Sequence, residues 1–299
     1  MSNSAITSLE SIVIVARHGE RLDYVTRDNG GNWVATAERP FDTPLTTHGE
    51  QQGFKLGVQL ATETKRLGIP PVTEIYASPF LRTRQTAVAA SQGLLSGGCE
   101  PHIKIKIEPG LAESFNESWY LSWAIPGSDG TWGYRPDGVT RATHVIHPDT
   151  LHPSAKVPVK ELLQWKHLTS QEDVGLVENT DEAYESKTSV TNPYTFFPRN
   201  LESSEDQRKR MLHTVEEVME PGKTILLVSH GGPVTHLYEE LTGNPWHAHG
   251  PSTFCCYSIY KHRPANGNSS WEAIVVNESK YLHETMVQEA HVAKDEESS

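Results

Sequence analysis

Apolar and polar positions alternate along the chain in a way that separates strand-like from helix-like stretches. Residues 11–16, Ser-Ile-Val-Ile-Val-Ala, form an unbroken β-branched apolar run, the pattern of a strand covered on both faces of a parallel sheet. Thr224-Ile-Leu-Leu-Val228 has the same character. A short strand is expected over 74–77. The segment Ile103-Lys-Ile-Lys-Ile107 alternates apolar and basic residues, as a strand with one solvated face does. Two further strands are expected near 254–260 and 271–276, parted by the turn-rich Pro264-Ala-Asn-Gly-Asn268.

Between these runs the period lengthens. A helix is expected from Thr47, where Thr47-x-x-Glu50 has capping-box spacing, to about Leu67, although Gly53 and Gly57 weaken it. Ser78-Pro79 has the order of an N-cap and first-turn proline, predicting a helix to about Leu95 with Arg82 in its first turn. Over 202–220, Met211, Leu212, Val215 and Val218 fall on one side, and another helix is expected over 233–241. Alternating strands and helices predict an α/β fold, a mainly parallel central sheet flanked by helices.

From about 114 to 200 the chain is irregular and rich in Pro, Gly, Thr, Trp and His, with a weak helical pattern over 159–168. This stretch is read as an insertion over the active site. One domain is expected over 1–293, followed by a charged, disordered tail over 294–299.

Composition narrows the functional classes. A net charge of −12 with no basic block argues against nucleic acid as a partner. The apolar run at 12–16 is too short to span a membrane and lacks the flanks of a signal peptide, so the expectation is a cytoplasmic or nuclear protein. Cys99, Cys255 and Cys256 are expected to be buried reduced thiols, and Asn-x-Ser triplets at Asn116, Asn268 and Asn277 carry no meaning in that setting.

The chemistry gathers at strand ends, where ligands bind in open parallel sheets. Both unbroken apolar strands run into a histidine beside glycine, in Arg17-His18-Gly19 and Ser229-His230-Gly231. Either tripeptide alone reads more readily as a capping or core histidine. Two of them, with arginines after the intervening elements, point to an anion site.

Arg17-His18-Gly19, Leu45-Thr46-Thr47-His48-Gly49, Ser78-Pro79-Phe80-Leu81-Arg82-Thr83-Arg84-Gln85-Thr86-Ala87 and Val228-Ser229-His230-Gly231 together resemble the histidine phosphatase, or phosphoglycerate mutase-like, superfamily. Arg17-His18-Gly19-Glu20-Arg21-Leu22-Asp23 and Glu108-Pro109-Gly110-Leu111-Ala112-Glu113 look most like its branch of suppressor-of-T-cell-receptor-signalling and ecdysteroid-phosphate phosphatases. The resemblance implies a phosphomonoesterase in which His18 becomes a phosphohistidine. It also implies that Arg17, Arg21, Arg82 and a cationic His230 hold the phosphoryl oxygens, and that Glu113 protonates the leaving group. Bidentate guanidinium groups suit this charge, and a carboxyl beside a bound anion has its acid form favoured. No metal or cofactor is implied. The expected partner is a small-molecule or protein phosphomonoester, and a homodimer is compatible with that reading.

Alternatives remain at this point. Glu108, Glu117 and Asp129 compete with Glu113 as the acid. Phosphoglycerate mutases carry a Trp-Asn pair after Arg-His-Gly where this chain has Glu20-Arg21-Leu22-Asp23, which disfavours phosphoryl transfer between positions of a metabolite. The length suits one catalytic core without ubiquitin-binding or SH3 modules, and Glu113-Ser114-Phe115 carries over no phosphotyrosine selectivity. A catalytically inactive interaction module on the same fold is the third reading. Trp119, Tyr120, Trp123, Trp132 and Tyr134 suggest either an apolar wall for a leaving group or a satellite core. His144, His147, Asp149 and His152, like His247 and His249, match no common metal spacing.

Overall fold

Two strands without a polar face need helices on both sides, and the computed structural model supplies them. It describes residues 10–33, 36–37, 42–99, 101–113, 174–188, 204–264 and 270–283. The elements are β1 (Ser11–Arg17), α1 (Leu22–Asp28), α2 (Thr47–Leu67), β2 (Val72–Ala77), α3 (Leu81–Ser96), β3 (Ile105–Ile107), α4 (Val174–Glu178), α5 (Ser204–Val218), β4 (Thr224–Ser229), α6 (Gly231–Thr242), β5 (Tyr257–Arg263) and β6 (Ser270–Glu278). The six strands form one sheet in the order β3-β2-β4-β1-β5-β6. β1, β2, β3 and β4 are parallel, while β5 runs antiparallel to both β1 and β6. The sheet is thus mainly parallel, with an antiparallel edge.

Side chains alternate across this sheet. Val13, Val15, Ile225 and Leu227 pack with Met211, Val215 and Val218 of α5 and with Val234, Leu237 and Leu241 of α6. On the other face Ile12, Ile14, Ala16, Ile75, Leu226 and Val228 meet Leu56 and Leu60 of α2 and Ala87, Ala90 and Leu94 of α3. Gly53 and Gly57, which weakened the helix in the sequence, are what let α2 approach α3. A Cβ on Gly57 would run into the Ala90 carbonyl and the Leu94 amide.

Three boundaries correct the sequence reading. The N-cap of α2 is Thr46 rather than Thr47, because the Gly49 N–H donates to Thr46 Oγ1 at 2.9 Å. That hydroxyl also donates to Glu20 Oε1 at 2.7 Å. Ser78-Pro79 does not cap α3, which starts at Leu81; Asp42 Oδ1 accepts the Leu81 N–H at 2.7 Å instead. The strand expected from 254 begins at Tyr257, after Cys255 takes a left-handed φ of 50° that interrupts extended backbone.

Cys99, Cys255 and Cys256 are buried and unpaired. Among the described residues no helix is long and apolar enough to cross a membrane. Most of the 114–200 stretch, including its weak helical pattern, and the 294–299 tail lie outside the described residues.

Candidate active site

Parallel pairing brings the carboxyl ends of β1, β2, β3 and β4 to one edge. Arg17 is in register with Ser229, and Ala77 with both Val228 and Ile107. The residues that follow, His18, Ser78, Glu108 and His230, therefore emerge side by side. The His18 and His230 rings meet edge to face with centroids 5.4 Å apart. Gly19 is required here, since a Cβ would collide with the Gly49 backbone, and a Cβ on Gly49 would collide with that of Glu20. The Gly19 N–H donates to Thr86 Oγ1 at 3.0 Å, tying the turn after β1 to α3.

His18 is 1% exposed. Its Nδ1 lies 2.8 Å from the Gly19 carbonyl. A carbonyl only accepts, so Nδ1 carries the proton and Nε2 keeps its lone pair. Burial, followed by the guanidinium groups of Arg82, Arg17 and Arg21, pushes the His18 pKa well below 6.5. His18 is a neutral imidazole with one free nucleophilic nitrogen.

Four arginines surround this centre or its walls. Arg82 is fully buried, and burial together with Arg21 brings its pKa down to about 10, still cationic at neutral pH. Arg21 is also buried and forms a two-pronged pair with Asp23, Nε to Oδ1 at 3.0 Å and Nη2 to Oδ2 at 2.6 Å. Its guanidinium lies 4.3 Å over the Tyr24 ring. Arg17 donates from Nη1 to the Ser252 carbonyl at 2.8 Å and sits 4.4 Å over the Phe254 ring. The buried Arg17 Nε has no hydrogen-bond partner among the described residues, which is what an anion site would leave open. Arg210 of α5 donates from Nη1 to the carbonyls of Gly110 at 2.6 Å and Ala112 at 2.9 Å, fastening the turn that carries Glu113.

Glu113 is 9% exposed. Its Oε1 lies beside Gly232 in the first turn of α6, and its charge acts on Arg17, Arg21 and Arg82 alike. All six expected residues, Arg17, His18, Arg21, Arg82, Glu113 and His230, thus converge on one edge of the sheet. Glu108 has a different task. It is fully buried and accepts from Tyr184 Oη at 2.7 Å, from the Lys187 N–H at 2.9 Å, and from the Thr188 N–H and hydroxyl. It pins 184–188 to the end of β3.

His230 sits among positive charges. Burial, followed by Arg82, His18, Arg21 and Arg210, pushes its pKa well below 6.5. Both ring nitrogens are engaged, Nδ1 with Arg82 Nη2 at 3.0 Å and Nε2 with Ser78 Oγ at 2.8 Å.

Ser78, Asp23, Asp42 and Arg210 escaped the sequence reading. Only long-range packing links them to the centre, apart from Asp23, whose place two residues after Arg21 gave a weak signal. Glu117, Asp129, Ser114, Phe115, the five insertion aromatics, and His144, His147, Asp149 and His152 lie outside the described residues. His247 stacks on Trp246, and His249 Nε2 lies 3.1 Å from Tyr238 Oη. Among the described residues no cluster of His, Cys, Asp and Glu is arranged to hold a metal ion.

The profile of the histidine phosphatase superfamily (branch 1) matches residues 13–123 and 160–274. An ecdysteroid-phosphate phosphatase of Bombyx mori is 42% identical over 141 residues, 38% of this chain and 19% of the relative. The match thus spans about a fifth of that relative's length. A crystal structure of the Bombyx mori ecdysone phosphate phosphatase with tungstate superposes with a TM-score of 0.51 at 19% identity, covering 89% of this chain and 93% of that one. It shares the fold. A phosphoglycerate mutase from Bacillus anthracis gives a TM-score of 0.49 at 17% identity over 93% and 97% of the two chains.

Proposed function

The chain belongs to the histidine phosphatase superfamily, branch 1, and from that premise we propose that it hydrolyses phosphomonoesters, without a metal, through a phosphohistidine on His18. The observation that carries this reading is the His18 tautomer. Its proton is committed to the Gly19 carbonyl, which leaves the lone pair on Nε2, and the charges of Arg82, Arg17 and Arg21 act on the ring.

Phosphoryl transfer asks little covalent chemistry of the protein beyond a positioned nucleophile and charge for the equatorial oxygens. In the first step Nε2 of His18 attacks phosphorus, the ester P–O bond breaks, and Glu113 gives its proton to the leaving oxygen. Arg17 and Arg82 hold the phosphoryl oxygens, with Arg21 supplying charge from the side that Asp23 orients. In the second step Glu113, now a carboxylate, takes a proton from water. The hydroxide attacks phosphorus, the P–N bond breaks, and phosphate leaves with His18 neutral again.

The substrate class is a phosphomonoester, a reading supported by the ecdysteroid-phosphate phosphatase of Bombyx mori that is 42% identical over 141 residues. Three buried unpaired thiols support a reducing compartment, cytoplasm or nucleus, as the place of action. The test is p-nitrophenyl phosphate hydrolysis in excess chelator by wild-type and His18→Ala protein. Turnover that survives chelation and vanishes in the variant is expected; turnover that needs a metal, or persists in the variant, contradicts the proposal.

A further inference from the structure

We propose that Ser78 is a positioning residue for the phosphate pocket: its hydroxyl accepts the Nε2 proton of the His230 tautomer that Arg82 selects, and by holding the ring it sets the orientation of the Arg82 guanidinium. The inference rests on the phosphomonoesterase reading above and assigns a role to a residue whose sequence context suggested a helix cap.

The argument is one of donors and acceptors. A guanidinium has five N–H donors and no lone pair. Arg82 Nη2 lies 3.0 Å from His230 Nδ1, so Nδ1 is the acceptor. A neutral imidazole has one N–H, which is then on Nε2, and Nε2 lies 2.8 Å from Ser78 Oγ. Ser78 accepts. The opposite tautomer would set an N–H of His230 against an N–H of Arg82. All three side chains are fully buried, so water does not soften that conflict.

Ser78 is itself held on two sides. Its N–H donates to the Val228 carbonyl at 3.0 Å, and its own carbonyl accepts from Thr83 Oγ1 at 2.8 Å. The hydroxyl is thus fixed between β4, which carries His230, and α3, which carries Arg82. Asp42 takes the Leu81 N–H, so cap duty makes no claim on this hydroxyl. The groups whose charge acts on His230 are Arg82 of α3, His18 after β1, Arg21 before α1 and Arg210 of α5. Arginines among them oppose a second proton on the ring, which leaves the orientation of the neutral ring as the variable that Ser78 controls. A guanidinium locked before substrate arrives needs no reorganisation as charge develops on the phosphoryl group.

The experiment joins imidazole 1H–15N correlation spectra with kinetics on p-nitrophenyl phosphate. The His230 signals are assigned by their loss in His230→Gln. In wild-type protein the His230 proton is expected on Nε2. Ser78→Ala is expected to keep the proton on Nε2, since Arg82 still needs the Nδ1 lone pair, but to move its 1H signal upfield for want of an acceptor and to lower kcat/KM about 10- to 100-fold, the range for a buried donor left unpaired. Ser78→Thr keeps the hydroxyl, restores the acceptor for the Nε2 proton and brings kcat/KM back to within about threefold of wild type. A proton on Nδ1 in wild-type protein, or an unchanged Nε2–H signal and rate in Ser78→Ala, overturns the proposal. Should Ser78→Ala not fold, the wild-type spectrum and Ser78→Thr still decide it. A wild-type protein without phosphatase activity would overturn the functional reading instead, and the spectrum would judge Ser78 separately.

Discussion

Arg210 reaches the backbone carbonyl of Glu113 from 97 residues away along the chain, its Nη2 at 3.4 Å while Nη1 holds the two carbonyls just before it. A helix on one face of the sheet thereby aims a carboxyl group at the sheet's edge. Replacing Arg210 by Ala leaves those carbonyls without their donor and is expected to cost about 2–4 kcal/mol of stability. It is also expected to lower kcat for alkyl phosphates more than for aryl phosphates, since an alkoxide needs the acid that Arg210 positions. Thermal unfolding and paired kinetics check both. Equal losses on the two substrates would put Arg210 in the phosphate clamp rather than behind the acid.

Glu113→Gln removes the acid and leaves its volume nearly unchanged. General acid catalysis is worth about 100- to 10,000-fold, so a loss in that range is expected with glycerol phosphate and a smaller one with p-nitrophenyl phosphate, whose phenoxide departs readily. A loss independent of leaving group would remove Glu113 from that role.

The acid limb of the pH profile follows from His18. The nucleophile must be unprotonated, and burial together with Arg82, Arg17 and Arg21 pushes its pKa well below 6.5. After correction for ionisation of the substrate, kcat/KM is therefore expected to hold between pH 7.5 and 6.5 and to fall only at lower pH. Stability moves in the same direction. His18 and His230 stay neutral in the fold while the unfolded chain protonates them below about pH 6.5, so their contribution is intact above that pH and is lost as pH falls through it. An acid limb at or above pH 6.5 contradicts the account.

A second pH effect arises at the far end of the sheet. Burial raises the Glu74 pKa, but hydrogen bonds from Lys223, Tyr76 and Lys106 override it and bring it down to about 2. Stability from this cluster is present above the ordinary value of 4.5 and is lost as pH falls towards 2. Glu74→Gln is expected to cost on the order of 1–3 kcal/mol at pH 7 and progressively less below pH 4. Denaturant melts at pH 7 and pH 3 compare the two; an equal cost at both would mean the carboxylate charge is irrelevant.

Much of the fold was legible because β1 and β4 are apolar without a break, and only a sheet covered on both faces accommodates such strands. The site was legible where chemistry is local. Arg17, His18 and Arg21 follow one strand, Arg82 opens a helix, and His230 follows the second strand. What the sequence hid depends on contacts across the fold. Ser78 looked like a cap because Ser-Pro often is one, yet Asp42, 39 residues before Leu81, takes the Leu81 N–H and frees Ser78 for His230. Glu108 competed with Glu113 as the acid, and only the fold shows the 184–188 segment filling its hydrogen-bonding capacity. Neither the burial of His230 nor the Arg82 donor on its Nδ1 can be read from a tripeptide.

The most direct test of the central claim is to trap the intermediate. Enzyme turning over a 32P-labelled aryl phosphate is quenched in alkali, where phosphohistidine survives, then digested, and the labelled peptide is sequenced. The account predicts label on His18, stable to alkali, lost in acid and absent from His18→Ala. Label on another residue, or rapid turnover with no labelled protein at any quench time, would contradict it.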